Sequence, residues 1–151
     1  MNNMISIVIP FYNPGVRILD AIRSVFVQTH SNWELILLDD GSNDGSTIFL
    51  KKITDPRVRV VSDGIRKGLA FRLNQMCNLC KGDYIARMDA DDLMFPIRLQ
   101  KQYEFFRANK VDVLSSSAII INDNLEAISI RSAVEVKASF LNFSKSCPII
   151  H

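Results

Sequence analysis

The sequence predicts an α/β fold in which a doubly wound, mainly parallel sheet carries helices on both faces. Short runs of β-branched and other apolar residues recur along the chain, as in strands that are covered on both sides. Segments with apolar residues at helical spacing separate these runs. Strand and helix therefore take turns along the chain, which indicates βαβ units with right-handed crossovers.

Four strands and three helices are predicted before residue 90. The strands are expected at residues 5–9, 34–38, 58–61 and 84–88. The helices are expected at residues 18–26, from Ser46 onward, and at residues 68–80. Pro10 is expected to end the first strand because proline has no backbone N–H to donate.

The pattern after residue 90 indicates one more helix and a hairpin. Pro96 suits the first turn of that helix, whose inward face would carry Leu99, Tyr103 and Phe106. Beyond the helix we expect a strand near residues 113–115, a hairpin turn at residues 122–124, a returning strand at residues 127–130 and a helix at residues 134–143. The chain, residues 1–151, is interpreted as a single domain.

Composition and charge exclude several classes of protein. The formal net charge is only +2 and the Lys and Arg residues are scattered, so a nucleic-acid partner is not expected. No apolar run in the sequence reaches the ~18 residues that a membrane-spanning helix needs. The first strand is not preceded by the basic segment of a signal peptide. We therefore expect a location in the cytoplasm or at the inner face of the membrane.

The spacing of Cys77 and Cys80 is that of a zinc or redox CxxC motif. The same two residues continue an apolar stripe, at helical spacing, that begins with Leu69, Leu73 and Met76. The third cysteine of the chain offers no second pair. We expect core thiols, since free cysteine packs as a small hydrophobe, and a metal or redox site is the alternative.

Polar clusters follow three of the predicted strands, at the sheet edge where α/β proteins bind ligands. The first comprises residues 10–13, where aromatic residues stand in place of a glycine-rich phosphate loop. No G-x-G-x-x-G occurs there, which argues against dinucleotide binding. Tyr12 could stack on a nucleobase, or it could be an ordinary core or surface aromatic.

The second cluster comprises residues 39–46 and combines Asp with Ser, Asn and Gly. These residue types suit a tight turn and a helix N-cap, with Asp44 or Ser46 as the cap. Asp39 and Asp40 exceed what a turn needs. One of them could therefore accept a hydrogen bond from the edge of a base.

The third cluster contains Asp89, Asp91 and Asp92, directly after a predicted strand. Side chains at i and i+2 of an extended segment point the same way, so Asp89 and Asp91 can address one ion, or an ion and a sugar hydroxyl. Like charges held this close favour a divalent cation, and oxygen ligands suit Mn²⁺ or Mg²⁺. Such an ion acts as a Lewis acid toward a departing nucleoside diphosphate. The alternative interpretation is an acidic helix N-terminus.

Cations gather at the start of the helix predicted for residues 68–80. Arg66, Lys67 and Arg72 lie where a cation or the backbone N–H groups of the first turn could meet a phosphate. A solvated basic face is the alternative for each of them.

Four motifs in order resemble the family 2 glycosyltransferases with the GT-A fold. They comprise residues 6–13, residues 34–46, residues 68–74, and residues 82–92. The resemblance covers nearly the whole chain. It implies a metal-dependent hexosyltransferase that moves a sugar, with inversion, from a UDP- or dTDP-sugar to a polysaccharide or lipid-linked glycan acceptor.

The resemblance also implies roles for individual residues. The base would stack near Tyr12, Asp40 would read its pyrimidine edge, and Asp89 would contact the ribose. Asp91 would hold the Mn²⁺ or Mg²⁺ ion as part of a DxD motif. The other residues implied to bind the nucleotide sugar are Pro10, Lys67, Arg72 and Ala90.

The catalytic base of such enzymes is a carboxylate well downstream of the DxD motif. Asp123 and Glu126 are too close to that motif, so the base is expected beyond His151. The chain is then a domain truncated before its acceptor-binding region, and it would be inactive in transfer. A nucleotide-sugar-binding module without turnover is the alternative. A nucleotidyltransferase is disfavoured because the first strand is not followed by a glycine-rich, basic signature.

Overall fold

The computed structural model describes residues 3–133 of the chain. The chain divides into two compact units, residues 1–104 and residues 105–151. The interpretation of residues 1–151 as a single domain stays a prediction, and the helix predicted at residues 134–143 lies outside the described residues. Within residues 3–133, no helix combines the length and the apolar composition needed to cross a bilayer.

Strand and helix alternate up to residue 108, as predicted. The strands are β1 (Ile5–Phe11), β2 (Trp33–Asp39), β3 (Val58–Val61) and β4 (Tyr84–Arg87). The helices are α1 (Ile18–Phe26), α2 (Ser46–Leu50), α3 (Leu69–Leu79) and α4 (Arg98–Ala108), with a 3-10 turn at Gly15–Arg17. A hairpin of β5 (Ala118–Ile121) and β6 (Ala127–Arg131) follows.

The first four strands form one parallel sheet in the order β3-β2-β1-β4. β1 pairs with β2 from Ile5 opposite Trp33 to Phe11 opposite Asp39, and with β4 on its other side. Strands β2 and β3 therefore follow on one side of β1, and β4 lies on its other side, so the strand order reverses at β1. Ligands of doubly wound folds bind at such a switch point, at the carboxyl ends of the strands.

One face of the sheet carries the apolar core. Alternate residues of the central strands, such as Ile7 and Leu37, pack there with Val25 of α1 and Leu99 of α4. Burying a side chain of this size contributes about 1.5–3 kcal/mol. This face therefore provides most of the apolar burial that holds the sheet.

The opposite face is more polar, and α3 packs against β1 and β2 there. Ser6 Oγ donates a hydrogen bond to Glu34 Oε1 (2.7 Å), and Arg59 forms an ion pair with Glu34 Oε2 (3.2 Å). The backbone N–H of Lys81, just past α3, also donates to Glu34 Oε1 (2.6 Å). Both faces of the sheet are covered, as predicted, but by chemically different layers.

The first strand does not end at Pro10 as predicted, since β1 continues through Pro10 to Phe11. The carbonyl of Val8 faces β4 and accepts the N–H of Met88 (3.1 Å). Pro10, two residues on, faces the same side, beyond Arg87, where β4 ends. Its missing N–H therefore removes no hydrogen bond from the ladder.

The prediction of a strand near residues 113–115 is also wrong, because the structure places this strand at Ala118–Ile121. The predicted hairpin is confirmed: β5 and β6 are antiparallel, and Asn122 N–H donates to the Glu126 carbonyl (3.0 Å). This turn sets which residues can pair. Residues 113–115 lie too far from it to reach β6.

Helix α4 begins at Arg98, two residues later than the position of Pro96 predicts. The Pro96 carbonyl instead accepts the N–H of Thr29 (2.8 Å), and Arg98 N–H closes a turn onto the Phe95 carbonyl (2.9 Å). Pro96 therefore belongs to the turn that leads into α4.

The apolar stripe predicted for α3 is not buried, and the expected core thiols are wrong for Cys77, which is exposed. Leu69 is 50% exposed, and the side chain that α3 buries is that of Arg72. The helix turns this cation inward because carboxylates lie beneath it. Burial raises the pKa of the Cys80 thiol, and no group of three or more potential metal ligands occurs in the part of the chain that the structure describes.

Candidate functional site

The three polar clusters lie at the carboxyl edge of the parallel sheet. Pro10 is buried in β1 and Tyr12 follows that strand, while Asp40 follows β2 and Asp89 lies beyond β4. β1 runs between β2 and β4, so Tyr12 lies between the two acidic segments. Neighbouring strands are ~4.8 Å apart, so β2 and β4 run about 10 Å from each other on either side of β1.

Asn13 ties the loop after β1 to the loop after β2. Its Nδ2 donates to Asn43 Oδ1 (2.9 Å), and its Oδ1 accepts the N–H of Asn43 (2.8 Å). Asp44 adds a second tie, since its two oxygens accept the N–H groups of Gly15 (2.8 Å) and Ser46 (3.0 Å). The N-cap of α2 is Gly45, which makes no side-chain cap hydrogen bond, so the cap predicted at Asp44 or Ser46 is wrong. Asp44 instead precedes the N-cap and helps to hold the two loops as one unit.

Asp39 and Asp40 have different surroundings although they are adjacent. Asp39 is buried, and its Oδ1 accepts the N–H of Ser42 (2.8 Å) while its Oδ2 accepts the hydroxyl of Ser62 (2.6 Å). Both oxygens of Asp39 are therefore used to hold the chain around the end of β2.

Asp40 is buried as well, but its two oxygens are used unequally. Oδ1 accepts from Lys67 N–H (2.8 Å), Gly68 N–H (3.0 Å) and Arg72 Nε (3.0 Å). Oδ2 accepts from Gly68 N–H alone (3.0 Å), which it shares with Oδ1. Burial raises the pKa of Asp40, but these hydrogen bonds and the charge of Arg72 outweigh it and hold the pKa below its ordinary value. Asp40 is thus a carboxylate at neutral pH with acceptor capacity to spare on Oδ2.

The side chains of Arg72 and Lys67 both pair with a carboxylate that the sequence did not single out, Asp63. Arg72 Nη2 donates to Asp63 Oδ1 (2.7 Å) and to the Ile65 carbonyl, and Nη1 donates to Asp63 Oδ2 (3.2 Å) and Gln75 Oε1 (2.8 Å). Hydrogen bonding with Asp63 raises the pKa of Arg72. Lys67 Nζ pairs with Asp63 Oδ2 (2.8 Å). The predicted contact of Arg72 and Lys67 with a nucleotide sugar stays a prediction.

Arg66 lies against the aromatic ring of Tyr12. Its guanidinium carbon is 4.1 Å from the ring centroid, and Tyr12 as a residue is 40% exposed. Gly41 makes this approach possible, because a Cβ there would lie 2.8 Å from the backbone nitrogen of Arg66. Gly41 also has a φ of +77°, which favours glycine. The sequence indicated Arg66 only as one of several cations near a helix start.

The acidic segment after β4 contains carboxylates with different partners. Arg87 Nη2 donates to Asp89 Oδ1 (2.7 Å). Asp91 is exposed and forms no hydrogen bond or ion pair within residues 3–133. Partial desolvation and the negative charges of Asp89 and Asp91 raise the pKa of Asp92, although this residue is exposed. Ala90 packs against the apolar core and holds the segment to the sheet.

Two arginines lie behind this acidic segment. Arg98 Nη2 donates to the carbonyl of Arg87 (3.3 Å), and the Nε atoms of both are buried with no partner among the described residues. Burial lowers the pKa of Arg98, and the charge of Asp92 partly offsets this. Three carboxylates therefore face two guanidinium groups, which leaves excess negative charge at the end of β4.

Comparison with known proteins supports a sugar-transferring family. Residues 6–148 match the family model described as Glycosyl transferase family 2. The chain is 30% identical, over 146 residues, to the Escherichia coli UDP-Glc:alpha-D-GlcNAc-diphosphoundecaprenol beta-1,3-glucosyltransferase WfgD, covering 97% of this chain and 57% of that protein. The chain spans about half the length of the curated relatives it matches.

Solved structures share the fold at low sequence identity. Staphylococcus aureus TarS 1-349 in complex with UDP matches with a TM-score of 0.63 and 18% identity, over 81% of this chain and 43% of that one. The mannosyltransferase PcManGT from Pyrobaculum calidifontis in complex with GDP-Man and Mn²⁺ matches with a TM-score of 0.61 and 21% identity, over 78% of this chain and 35% of that one. The predicted GT-A-like α/β fold is confirmed. With the family match across nearly its whole length, the chain belongs to glycosyltransferase family 2.

Proposed function

We propose that this chain binds the donor of a metal-dependent, inverting glycosyltransferase that uses a UDP- or dTDP-sugar. The observation that carries the proposal is the carboxylate of Asp40, which is buried and ionised and has acceptor capacity to spare on Oδ2. It lies at the strand end next to the exposed ring of Tyr12. The donor named for the relative WfgD is UDP-glucose, which agrees with a uridine site.

The protonation state of Asp40 would select among nucleobases. An ionised carboxylate only accepts hydrogen bonds. Uracil and thymine present an N3–H on their pairing edge, whereas N3 of cytosine carries a lone pair. Asp40 Oδ2 would therefore accept from N3–H of uracil or thymine, while the base stacks on Tyr12. Cytosine would set its N3 lone pair against the carboxylate and could offer only its exocyclic N4–H. Guanine presents an N1–H as well, so GDP belongs in the same binding measurements.

Asp89 and Asp91 are proposed to divide the binding of sugar and metal. Arg87 already neutralises one oxygen of Asp89, which leaves the other for a ribose hydroxyl. Asp91 is exposed and lacks a cationic partner within residues 3–133, so it suits Mn²⁺ or Mg²⁺. Because no cluster of three or more ligating side chains occurs in this range, the ion would rest on Asp91 together with diphosphate oxygens and waters, as is common at nucleotide sites. A metal ion held there supplies stabilisation of the charge on the leaving nucleoside diphosphate.

The remaining predicted contacts are proposed to shape the same site. Pro10 and Ala90 are proposed as nucleotide-sugar contacts because Pro10 lies near the end of β1 and Ala90 lies in the segment that follows β4. Lys67 contributes through its backbone N–H, which donates to Asp40. Its ammonium group is already paired with Asp63.

The acceptor is proposed to be a polysaccharide or a lipid-linked glycan at the inner face of the membrane. The acceptor named for WfgD is carried on diphosphoundecaprenol, a lipid. Transfer would proceed by direct displacement at the anomeric carbon, with a carboxylate base taking the proton of the acceptor hydroxyl. We assign no base among residues 3–133. UDP binding without transfer from any donor would identify a binding module instead of a complete enzyme.

Calorimetric titration of UDP with and without Mn²⁺ tests the proposal. We expect Mn²⁺ to tighten binding by at least ~10-fold in the wild type and to have little effect in Asp91→Ala. Asp20→Ala is the matched control, since Asp20 is exposed and its ion pair within residues 3–133 is with Arg23 on the surface of α1. Metal-independent UDP binding, or an unchanged metal effect in Asp91→Ala, would contradict the proposed site.

A further inference from the structure

We infer that Arg72 is a positioning residue for the nucleobase site, where it fixes both Asp40 and the 62–68 loop, formed by residues 62–68 between β3 and α3. The inference rests on the proposed function, in which Asp40 reads the base. Arg72 is fully buried in the first turn of α3, although arginine is seldom buried without partners. Its partners belong to two walls of the same site.

The inner partner of Arg72 is Asp40. Nε of Arg72 donates to Asp40 Oδ1 (3.0 Å), the oxygen that also accepts the N–H groups of Lys67 and Gly68. Three donors on Oδ1 fix the plane of the carboxylate and leave Oδ2 as the oxygen with spare capacity. Without the guanidinium, Oδ1 would have room for a further donor, and the two oxygens would compete for the base.

The outer partners of Arg72 hold the 62–68 loop. Nη1 and Nη2 grip the two oxygens of Asp63 at 3.2 and 2.7 Å, and Nη2 also donates to the carbonyl of Ile65. The next residue in this loop is Arg66, which lies on the ring of Tyr12. One buried side chain therefore links the residue that reads the edge of the base to the residue that covers the stacking ring.

The chemistry requires arginine rather than another cation. The guanidinium has five N–H groups in a planar fork, and the bonds to Asp40, Asp63, Ile65 and Gln75 use all five. No N–H of Arg72 remains for a phosphate. Lysine has three donors at a single point, so it cannot reach both carboxylates and the loop carbonyl together.

Binding of UDP and CDP to Arg72→Met and Arg72→Lys, with Mn²⁺ present, tests the inference. For Arg72→Met we expect UDP affinity to fall by about 10-fold and the ratio of UDP to CDP affinity to approach one. Arg72→Lys should recover part of the affinity because it restores the charge beside Asp40. A folded Arg72→Met that keeps the wild-type ratio would overturn the inference.

Arg59→Met is the matched control. Arg59 also holds a buried carboxylate, Glu34, but at the opposite end of β2. We expect this variant to be less stable while it keeps both the UDP affinity and the UDP to CDP ratio. A ratio that falls as much in Arg59→Met as in Arg72→Met would reduce Arg72 to a general stabilising residue and overturn the inference.

Asp63→Asn keeps the inference falsifiable if Arg72→Met does not fold, because Asp63 is one-third exposed and its amide can still accept one bond. We expect a fall of about 3-fold in UDP affinity and a reduced ratio, and an unchanged ratio would overturn the role of the loop. A wild-type protein that fails to bind UDP would instead overturn the proposed function. Wild-type selectivity that persists in Arg72→Met would overturn the role of Arg72 alone.

Discussion

Each end of β2 carries a buried carboxylate that is bound by an arginine and by backbone N–H groups, but the two carboxylates are expected to serve different purposes. At the amino end, Glu34 is buried and accepts from Lys81 N–H, just beyond α3, and from Arg59. At the carboxyl end, Asp40 is buried and accepts from Lys67 N–H, just before α3, and from an arginine of that helix. In both places a carboxylate, an arginine and the backbone N–H groups flanking α3 fasten the helix to the sheet.

The difference lies in what surrounds each carboxylate. Each has one oxygen with several donors and a second oxygen with a single donor, which is Arg59 for Glu34 and the Gly68 N–H for Asp40. Asp40 has in addition the exposed Tyr12 at the neighbouring strand end. We propose that a ligand reaches the second oxygen of Asp40 at this switch point of the sheet, whereas Glu34 stabilises the fold. Substitution of Glu34 should therefore lower stability alone, whereas substitution of Asp40 should lower both stability and binding.

The largest loss of stability at unchanged UDP affinity is expected for Glu34→Ala, which removes the partner of Arg59 and of the Ser6 hydroxyl. Because the Arg59 side chain is 36% exposed, breaking this pair is expected to cost about 1–3 kcal/mol, less than for a fully buried pair. Urea unfolding should show this loss, while the UDP affinity of the folded protein stays within about two-fold of wild type. A loss of UDP affinity as large as the loss of stability would mean that the two ends are not functionally distinct.

At the carboxyl end, Asp40→Ala should lower UDP affinity by about 10- to 100-fold, since a hydrogen bond to a charged group is worth ~1.5–3 kcal/mol. Titration calorimetry measures the affinity, and near-ultraviolet circular dichroism checks the fold. Asp39→Ala serves as the comparison for Asp40→Ala, because both oxygens of Asp39 are already occupied by Ser42 and Ser62. Wild-type UDP affinity in Asp40→Ala would contradict the proposed role of Asp40.

Gly41→Ala tests how closely the 62–68 loop must approach the end of β2. The added Cβ would lie 2.8 Å from the backbone nitrogen of Arg66, so the loop has to shift. Gly45→Ala is the control, because Gly45 has a similar φ of +82° but open space around its Cβ. We expect a cost of about 1 kcal/mol from the backbone conformation in both variants, and a several-fold weaker UDP affinity only in Gly41→Ala. Equal UDP affinities in the two variants would contradict the close approach.

The smallest effect per residue should come from pH. The pKa values of Glu34 and Asp40 are lowered in the folded protein, as the balance of burial, which raises them, and hydrogen bonding, which lowers them more. Their contribution to stability is therefore complete above their ordinary pKa values of about 4 and is lost as the pH falls through the folded values. Urea unfolding between pH 7 and pH 3 should show declining stability, with a shallower decline in Glu34→Ala and Asp40→Ala. If stability fell as steeply with pH in both variants as in the wild type, Glu34 and Asp40 would not be the source of the pH dependence.

The fold could be predicted largely from local patterns, because the buried strands are short β-branched runs and the turns carry Gly, Asn and Asp. The exceptions depend on contacts between distant residues. β1 passes through Pro10 because β4 has already ended there, and α3 buries Arg72 because Asp40 and Asp63 lie beneath it. The spacing of apolar residues along α3 cannot predict this, because the charge of the sheet face beneath the helix comes from residues in other segments of the chain.

The candidate site could be predicted in outline from the rule that ligands bind at strand ends. That rule selected Tyr12, Asp40, Asp89 and Asp91, which the structure places at the ends of three neighbouring strands. Asp63 also follows a strand and could have been found by the same rule. The division of labour between the oxygens of Asp40 could not be predicted, since it depends on which donors fold against each atom.

The affinities of UDP and CDP in the presence of Mn²⁺, measured for the wild type and for Asp40→Asn, test most directly whether Asp40 reads the base. We expect the wild type to prefer UDP by at least ~10-fold, because the carboxylate accepts from N3–H of uracil and repels N3 of cytosine. In Asp40→Asn the amide can donate or accept, so the ratio should fall toward one. Equal affinities in the wild type, or a preference that survives in Asp40→Asn, would contradict the account.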